Sequence, residues 1–211
     1  MLLPPAALAA PLSLHDKFEQ LIEGMLTNSY GVCDDFLTPE LLASLRTRLH
    51  TLYAEQEMKA AGVGRATGFR ESAEIRGDVI HWLEAKVDPA EDELLAQLQS
   101  FVEHLNRTCF AGINTQEFHF ALYPAGSRYR RHLDQFKSDS GRLFSMVLYL
   151  NEEWQDADGG QLRVYPTDHP QGLDVYPQAG RAVFFRADEL EHEVIPAPNR
   201  ERMSIAGWFK K

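Results

Sequence analysis

The chain has 211 residues, of which 44% are hydrophobic and 25% are charged, and its formal net charge is −10. This length and composition are typical of an ordinary globular protein that can bury a sizeable core. A negative surface repels phosphate backbones, and no apolar run approaches the length of a membrane span, so the sequence argues against nucleic acid and membrane as partners. We expect a monomer.

The two cysteines, Cys33 and Cys109, belong to no Cys-x-x-Cys motif. This argues against a structural zinc site and a secreted disulfide scaffold, and it indicates a reducing, cytoplasmic location. Residues 1–12 are apolar but lack the positively charged start of a signal peptide, so we interpret them as a flexible N-terminal tail. Residues 13–211 are then expected to form one domain.

The first half of the chain predicts three helices. Ser13 with Asp16, Thr38-Pro39 and Asp88-Pro89 are typical helix starts, and apolar residues follow each of them at helical spacing. Short apolar strands are expected at 31–33 and 79–83.

Residues 56–76 have a different character, with three glycines among charged and polar residues and no hydrophobic period. They predict a long mobile loop or an irregular hairpin.

From Glu117 onward the pattern changes to short strands separated by turn signals such as 124–126, 138–141, 156–160 and 178–180. The strands are expected at 117–123, 127–135, 142–150, 160–165, 181–186, 191–195 and 202–209. Helices followed by many short strands indicate an α+β fold with a double-stranded β-helix core (jelly roll, cupin-like) and the N-terminal helices packed on one sheet.

The sequence His132-Leu133-Asp134 carries the strongest chemical signal. Within a strand, His132 and Asp134 would point to the same face and could both reach one divalent metal. His192, in a later apolar strand, is the best third ligand. Two histidines and one carboxylate with open positions form the facial triad of non-haem Fe(II) oxygenases. The alternative is two surface polar residues and a hydrogen-bonded core histidine.

Arg202 begins an apolar strand that includes Trp208. An arginine that points into a barrel costs free energy unless it meets an anion, and its planar guanidinium fits a carboxylate. The Tyr149 hydroxyl could reach the same carboxylate. The alternatives are an outward-facing arginine and a tyrosine that only packs in the core. Tyr123 and Tyr129, which are near the His-x-Asp motif, carry the same ambiguity.

Seven ordered blocks resemble one known family, the Fe(II)/2-oxoglutarate-dependent prolyl 4-hydroxylases. The resemblance runs from about Gly31 to Phe209 and is closest to the catalytic domain of the hypoxia-inducible-factor prolyl hydroxylases and their bacterial relatives. The blocks are Ile75-Arg76-Gly77-Asp78 with Ile80 and Trp82, Tyr123-Pro124, Tyr129-x-Arg131-His132-x-Asp134, Tyr149-Leu150-Asn151, Gly159-Gly160-x-Leu162-Arg163, His192-Glu193-Val194, and Arg202 with Trp208.

The resemblance implies a role for each matching residue. His132, Asp134 and His192 would bind Fe(II), while Arg202 would bind the distal carboxylate of 2-oxoglutarate with Tyr149 as its hydroxyl partner. The remaining implied positions are Tyr123 near the chelating end of the cosubstrate, Leu162 and Val194 as apolar walls of its pocket, and Arg142 and Trp208 around the target proline. Arg76 and Tyr129 are further candidates for substrate binding.

The implied activity is hydroxylation of proline C4 in a protein, with Fe(II) as cofactor, 2-oxoglutarate and O2 as cosubstrates, and ascorbate as a reductant. Asp134 bears on the reaction type, because related halogenases lack this carboxylate. Residues 56–76 would cover the peptide, but little of their sequence matches the family, so the substrate stays open, with elongation factor Tu as a candidate. The alternatives are a same-fold oxygenase that acts on a free amino acid or another small molecule, and a non-catalytic peptide-binding module.

Overall fold

The computed structural model describes residues 12–62, 75–135 and 141–211. The predicted tail up to residue 11, residues 63–74 of the predicted loop and residues 138–140 of a predicted turn lie outside the described residues. Three α-helices begin where the sequence predicts them: α1 Leu14–Asn28, α2 Pro39–Ala54 and α3 Pro89–Cys109.

Side-chain caps explain the helix starts. Ser13 and Asp16 form a reciprocal capping box at α1, while Thr38 and Asp88 accept hydrogen bonds from first-turn N–H groups of α2 and α3. No described helix combines the length and the apolar character that crossing a membrane requires.

The described strands are short, and those after residue 115 follow one another closely. All of them are named here in chain order. They are β1 Tyr30–Cys33, β2 Lys59–Ala60, β3 Val79–Trp82, β4 Thr115–Tyr123, β5 Tyr129–His132, β6 Arg142–Tyr149, β7 Leu162–Tyr165, β8 Leu173–Val175, β9 Ala182–Arg186, β10 Glu191–Val194 and β11 Arg202–Lys210. A 3-10 turn at Asp156–Asp158 separates β6 from β7.

The strands form two sheets, with orders β1-β9-β6-β11-β4-β3-β2 and β5-β10-β7-β8. The helices pack on one face of the seven-stranded sheet, where residues such as Leu45, Phe101 and Phe120 form the main core. A smaller cluster that includes Val164 and Phe185 lies between the two sheets. The predicted α+β fold, with a double-stranded β-helix core and helices on one sheet, is confirmed.

Two local features differ from the predictions. The strand predicted at 127–135 ends at His132, so Asp134 lies beyond β5. The strand β8, which pairs with β7, was not predicted. Within residues 56–76, the edge strand β2 pairs antiparallel with β3, which agrees with the irregular-hairpin alternative. β2 and β8 have two and three residues, too few for an alternating pattern to be recognised.

Candidate active site

The register of β4 and β11 decides which side chains face the space between the sheets. Alternate residues on these strands point away from the helices. Arg202 and Trp208 therefore lie on the same inner face, six positions apart and separated by roughly 20 Å along the strand. The inner-face pairs, in order, are Tyr123–Arg202, Ala121–Ser204, His119–Ala206 and Glu117–Trp208.

Three possible metal ligands converge in this cavity. His132 pairs in register with His192 of β10, and their ring centroids are 4.4 Å apart. The Asp134 carboxylate oxygens lie 3.4 Å from His132 Nε2 and 3.6 Å from His192 Nε2. The ligand atoms of the three residues all lie within 4.8 Å of one another, so they could hold a single metal ion.

Backbone carbonyls orient both imidazoles. His132 Nδ1 lies 2.7 Å from the carbonyl oxygen of Arg130, and His192 Nδ1 lies 3.1 Å from that of Leu190. Since a carbonyl oxygen can only accept, each Nδ1 carries the proton and each Nε2 keeps its lone pair for a metal. The Tyr129 ring stacks on His132 at a centroid distance of 3.7 Å and restricts its rotation.

Asp134 is held in place by residues of the other sheet. The Ser145 hydroxyl of β6 donates to its carboxylate at 2.7 Å, and Arg142 donates to its backbone carbonyl at 3.0 Å. The next residue, Gln135, donates its N–H to the carbonyl of Ala187. These bonds bring the carboxylate to the histidines although the strand ends before it.

The protonation states of these groups fit a metal site. Burial lowers the pKa of His192 to about 4 and keeps its imidazole neutral. Burial alone would raise the pKa of Asp134, but His192, His132 and the Ser145 hydrogen bond outweigh it, so this pKa is lowered and the carboxylate stays ionised. Imidazole nitrogens with one carboxylate suit Fe(II).

Arg202 lies at the inner end of the cavity and is buried. Its Nε donates to the Gly160 carbonyl at 2.7 Å and its Nη1 donates to Ser204 Oγ at 3.3 Å. Among the described residues, no carboxylate forms an ion pair with it. A buried guanidinium without a counter-charge is costly, so this end of the cavity favours an anion.

Two tyrosines flank this guanidinium. Its central carbon lies 5.0 Å from the Tyr149 ring centre and 5.2 Å from that of Tyr123. The Tyr149 hydroxyl is buried with no hydrogen-bond partner among the described residues, and burial raises its pKa, so it keeps its proton. A carboxylate could accept from both Tyr149 and Arg202.

The cavity between Arg202 and the three ligands is lined by small or apolar side chains. Leu162 and Val194 lie on the four-stranded sheet, and the opposite side includes Ala121, Ser204 and Ala206. The small side chains leave a cavity of about 50 Å³ between the two polar ends.

The predicted substrate-binding residues surround the outer opening. Arg76 donates to both oxygens of buried Asp78 at 2.7 and 2.9 Å and lies 4.8 Å from the Tyr129 ring. The Arg142 guanidinium stacks over the Trp208 ring at 3.3 Å. Beyond them lies a groove of about 550 Å³, which is far larger than one side chain needs.

The sequence analysis assigned no role in this site to four residues that the structure places there: Asp78, Trp82, His119 and Ser145. Ser145 and His119 are single polar residues at inward positions of apolar strands, which is the signal that could have revealed them. Asp78 and Trp82 belong to the family-like block, but only the fold brings Asp78 to Arg76 and Trp82 to the groove.

A second group of possible ligands, His15, Glu19 and His104, lies between α1 and α3. Arg107 Nη2 can only donate to His104 Nδ1, at 3.3 Å, so His104 Nε2 carries the proton and donates to Glu19 at 2.7 Å. We interpret this group as a helix–helix hydrogen-bond network, because its buried imidazole has no lone pair left for a metal.

Comparison with known proteins gives independent evidence on the family. Residues 118–210 match the sequence model of the 2OG-Fe(II) oxygenase superfamily. The chain is 30% identical to the hypoxia-inducible factor prolyl hydroxylase of Caenorhabditis elegans over 95% of its own length, and it spans 29% of the length of that relative.

Solved structures agree with this match. A Pseudomonas putida prolyl-4-hydroxylase superimposes with a TM-score of 0.85 and 39% identity, covering 92% of this chain and 99% of that one. A Trichoplax adhaerens prolyl hydroxylase in complex with a hypoxia-inducible factor oxygen degradation domain peptide gives a TM-score of 0.83 and 25% identity, covering 93% and 90%. The resemblance predicted from the sequence is confirmed: this chain belongs to the Fe(II)/2-oxoglutarate-dependent prolyl 4-hydroxylase family of dioxygenases.

Proposed function

We propose that this protein hydroxylates C4 of a prolyl residue in a protein substrate. The observation that carries this proposal is the order of groups along one cavity. A buried guanidinium that no described carboxylate pairs with lies at the inner end, three possible metal ligands follow, and an aromatic and basic opening leads into a groove of about 550 Å³.

In this proposal His132 Nε2, His192 Nε2 and the Asp134 carboxylate hold Fe(II). The Arg130 and Leu190 carbonyls fix the tautomers, and Ser145 fixes the carboxylate. Together, Fe(II), 2-oxoglutarate and O2 supply the oxidation of an unactivated C–H bond, with succinate and CO2 as coproducts.

The cosubstrate is proposed to lie between the metal ligands and Arg202. Arg202 and Tyr149 would donate to its distal carboxylate, Tyr123 would lie beside them, and Leu162 and Val194 would exclude water from its aliphatic part. Ascorbate is proposed as the reductant that maintains Fe(II).

The groove supports a protein substrate. Arg76 and Arg142 carry guanidinium groups at the opening that could donate to peptide carbonyls, and Trp208 and Tyr129 offer flat surfaces for a prolyl ring. A free amino acid would leave most of a 550 Å³ groove empty. We propose elongation factor Tu as the first protein substrate to examine.

The test compares four probes with the Fe(II)-loaded enzyme and 2-oxoglutarate. Purified elongation factor Tu, a hypoxia-inducible factor oxygen degradation domain peptide, free L-proline and buffer are assayed for succinate formation and for the mass of one added oxygen atom. We expect a protein or peptide probe to gain that mass and free proline to have no effect. Equal stimulation by free proline would instead support the small-molecule oxygenase, and binding without succinate would support the peptide-binding module.

Two further proposals concern the compartment and the state of assembly. Cys33 and Cys109 are both free, which is compatible with a reducing compartment such as the cytoplasm. β4, β6 and β9 contribute to both hydrophobic clusters, which supports one domain over residues 13–211. We propose a monomer as the working state.

A further inference from the structure

His119 occupies a position in this site that the proposed mechanism does not use. It lies on the inner face of β4, is 2% exposed, and borders both the metal cavity and the outer groove. Its ring packs against Trp82 at 4.9 Å and Trp208 at 5.6 Å between centroids. Because an imidazole carries two ring nitrogens, His119 can form hydrogen bonds at the opening as well as pack between the two tryptophans.

The contact with Arg76 determines its tautomer. Arg76 Nη2 lies 3.4 Å from His119 Nε2, and a guanidinium nitrogen can only donate. His119 Nε2 must therefore accept, which leaves the proton of the neutral ring on Nδ1. Burial, together with the nearby Arg76 charge, lowers the pKa of His119 to about 3, so the ring is neutral at physiological pH.

His119 Nδ1 is therefore a buried N–H donor, and it has no hydrogen-bond partner among the described residues. Trp208 Nε1, another donor in the same wall, also lacks a partner there. Unpaired buried donors are rare and costly, so they indicate a ligand that accepts.

The chemistry of a prolyl segment matches this need. A prolyl nitrogen carries no hydrogen, so the peptide around the target ring offers carbonyl acceptors and lacks the N–H donor found at other residues. The neutral Nδ1–H of His119 can donate to such an amide carbonyl, whereas the charged Arg202 at the other end favours a carboxylate.

We propose that His119 is a substrate-specificity residue, whose Nδ1–H donates to a backbone carbonyl beside the target proline while its Nε2 orients Arg76. This inference rests on the proposed function, since it requires a prolyl substrate. It assigns a different partner to each end of the cavity, with the carboxylate of the cosubstrate at Arg202 and a peptide carbonyl at His119.

The first experiment examines the native protein loaded with diamagnetic Zn(II) and 2-oxoglutarate. Long-range 1H–15N spectra of the histidine rings should show His119 protonated at Nδ1. Titration with the capped amide N-acetyl-L-proline N′-methylamide should shift that resonance, whereas free L-proline should not. A ring protonated at Nε2, or a resonance unchanged at saturation with the capped amide, overturns the proposal.

The second experiment separates the two ring nitrogens. Asparagine places its amide N–H near the position of Nδ1, and glutamine reaches the position of Nε2. We expect His119→Leu and His119→Gln to weaken binding of the capped amide about 10-fold, and His119→Asn to stay within about 3-fold of the native protein. His50→Asn, an exposed histidine on α2, is the matched control.

The outcomes distinguish a failure of the proposed His119 role from a failure of the proposed function. The role of His119 is refuted, and the proposed function stands, if the native protein binds the capped amide but His119→Leu, His119→Gln and His119→Asn all bind it with the same affinity. The same conclusion follows if His119→Gln binds it like the native protein and His119→Asn does not. If the native protein neither binds the capped amide nor hydroxylates elongation factor Tu or the hypoxia-inducible factor peptide, the proposed function is refuted, and so is the role of His119 that depends on it. Thermal unfolding of each variant identifies loss of fold, and the tautomer measurement needs no variant.

Discussion

The two faces of the seven-stranded sheet are built from the same strands but serve opposite purposes. Along β4, Phe118, Phe120 and Leu122 point to the helices and are almost fully buried in the main core. The alternate residues His119 and Tyr123 point to the cavity. The helix-facing side buries apolar area and stabilises the fold, while the inner face combines a smaller apolar cluster with buried polar groups and unfilled space, which cost stability.

This difference between the helix-facing and cavity-facing sides of the sheet implies that stability and function can be changed separately in this protein. Adjacent residues of one strand belong to different faces, so substitutions one position apart should have different consequences. Helix-facing changes should alter the free energy of unfolding, and cavity-facing changes should alter turnover or ligand affinity.

The largest effect is expected at the metal ligands. Asp134→Ala or His192→Ala should abolish succinate formation, because two remaining ligands hold Fe(II) poorly, while circular dichroism shows a retained fold. Mn(II), Co(II) or Ni(II) should bind the native protein without turnover. Asp174→Ala is the control, since this carboxylate pairs with Arg163 on the outside of the four-stranded sheet. Full activity in both ligand variants would refute the metal assignment.

The next effect concerns the helix-facing side. Phe120 is fully buried, and Phe120→Ala should lower the free energy of unfolding by about 3–5 kcal/mol, measured by denaturant titration. Phe110 is 88% exposed, so Phe110→Ala should change it by no more than about 0.5 kcal/mol. Folded Phe120→Ala should keep its turnover at low temperature. A loss of turnover larger than the unfolded fraction explains would contradict the separation of the two faces.

Arg202 tests the inner end of the cavity. Removal of a charge-assisted contact that leaves its partner buried costs about 2–5 kcal/mol, so Arg202→Ala should raise the 2-oxoglutarate requirement at least about 10-fold. Arg200, two residues away, pairs with Asp158 at the surface, and Arg200→Ala should leave the requirement unchanged. An unaltered 2-oxoglutarate requirement in Arg202→Ala would remove the support for anion binding there.

The smallest effect is a pH dependence of stability. The folded-state pKa of His119 is lowered to about 3, so between its unfolded value and that pKa only the unfolded chain binds the proton. Stability should therefore fall as pH decreases below about 6.5, by at most about 1.4 kcal/mol per pH unit from this residue. The metal-free His119→Leu variant should lose less stability than the native protein between pH 6.5 and pH 5. Parallel stability curves would show that His119 is not buried as a neutral ring.

Much of the architecture follows from the sequence because local signals and the tertiary fold agree. The caps at Ser13, Thr38 and Asp88 start the helices as predicted, and the mostly apolar runs 117–123 and 142–150, bounded by turn signals, identify two of the strands. The sequence motifs also identified the family and its class of enzyme, which the comparisons confirm. The individual site roles remain predictions.

Only the tertiary structure decided how the site is assembled. Asp134 lies beyond the end of β5, and a hydroxyl from the other sheet, Ser145, holds its carboxylate. Arg202 could have faced solvent on an edge strand, but pairing of β11 with both β4 and β6 makes it central and buried. The tautomer of His119 depends on Arg76, 43 residues away. Such contacts join residues that are distant in the chain, and hydrophobic periodicity describes only neighbours, so no local pattern could have determined them.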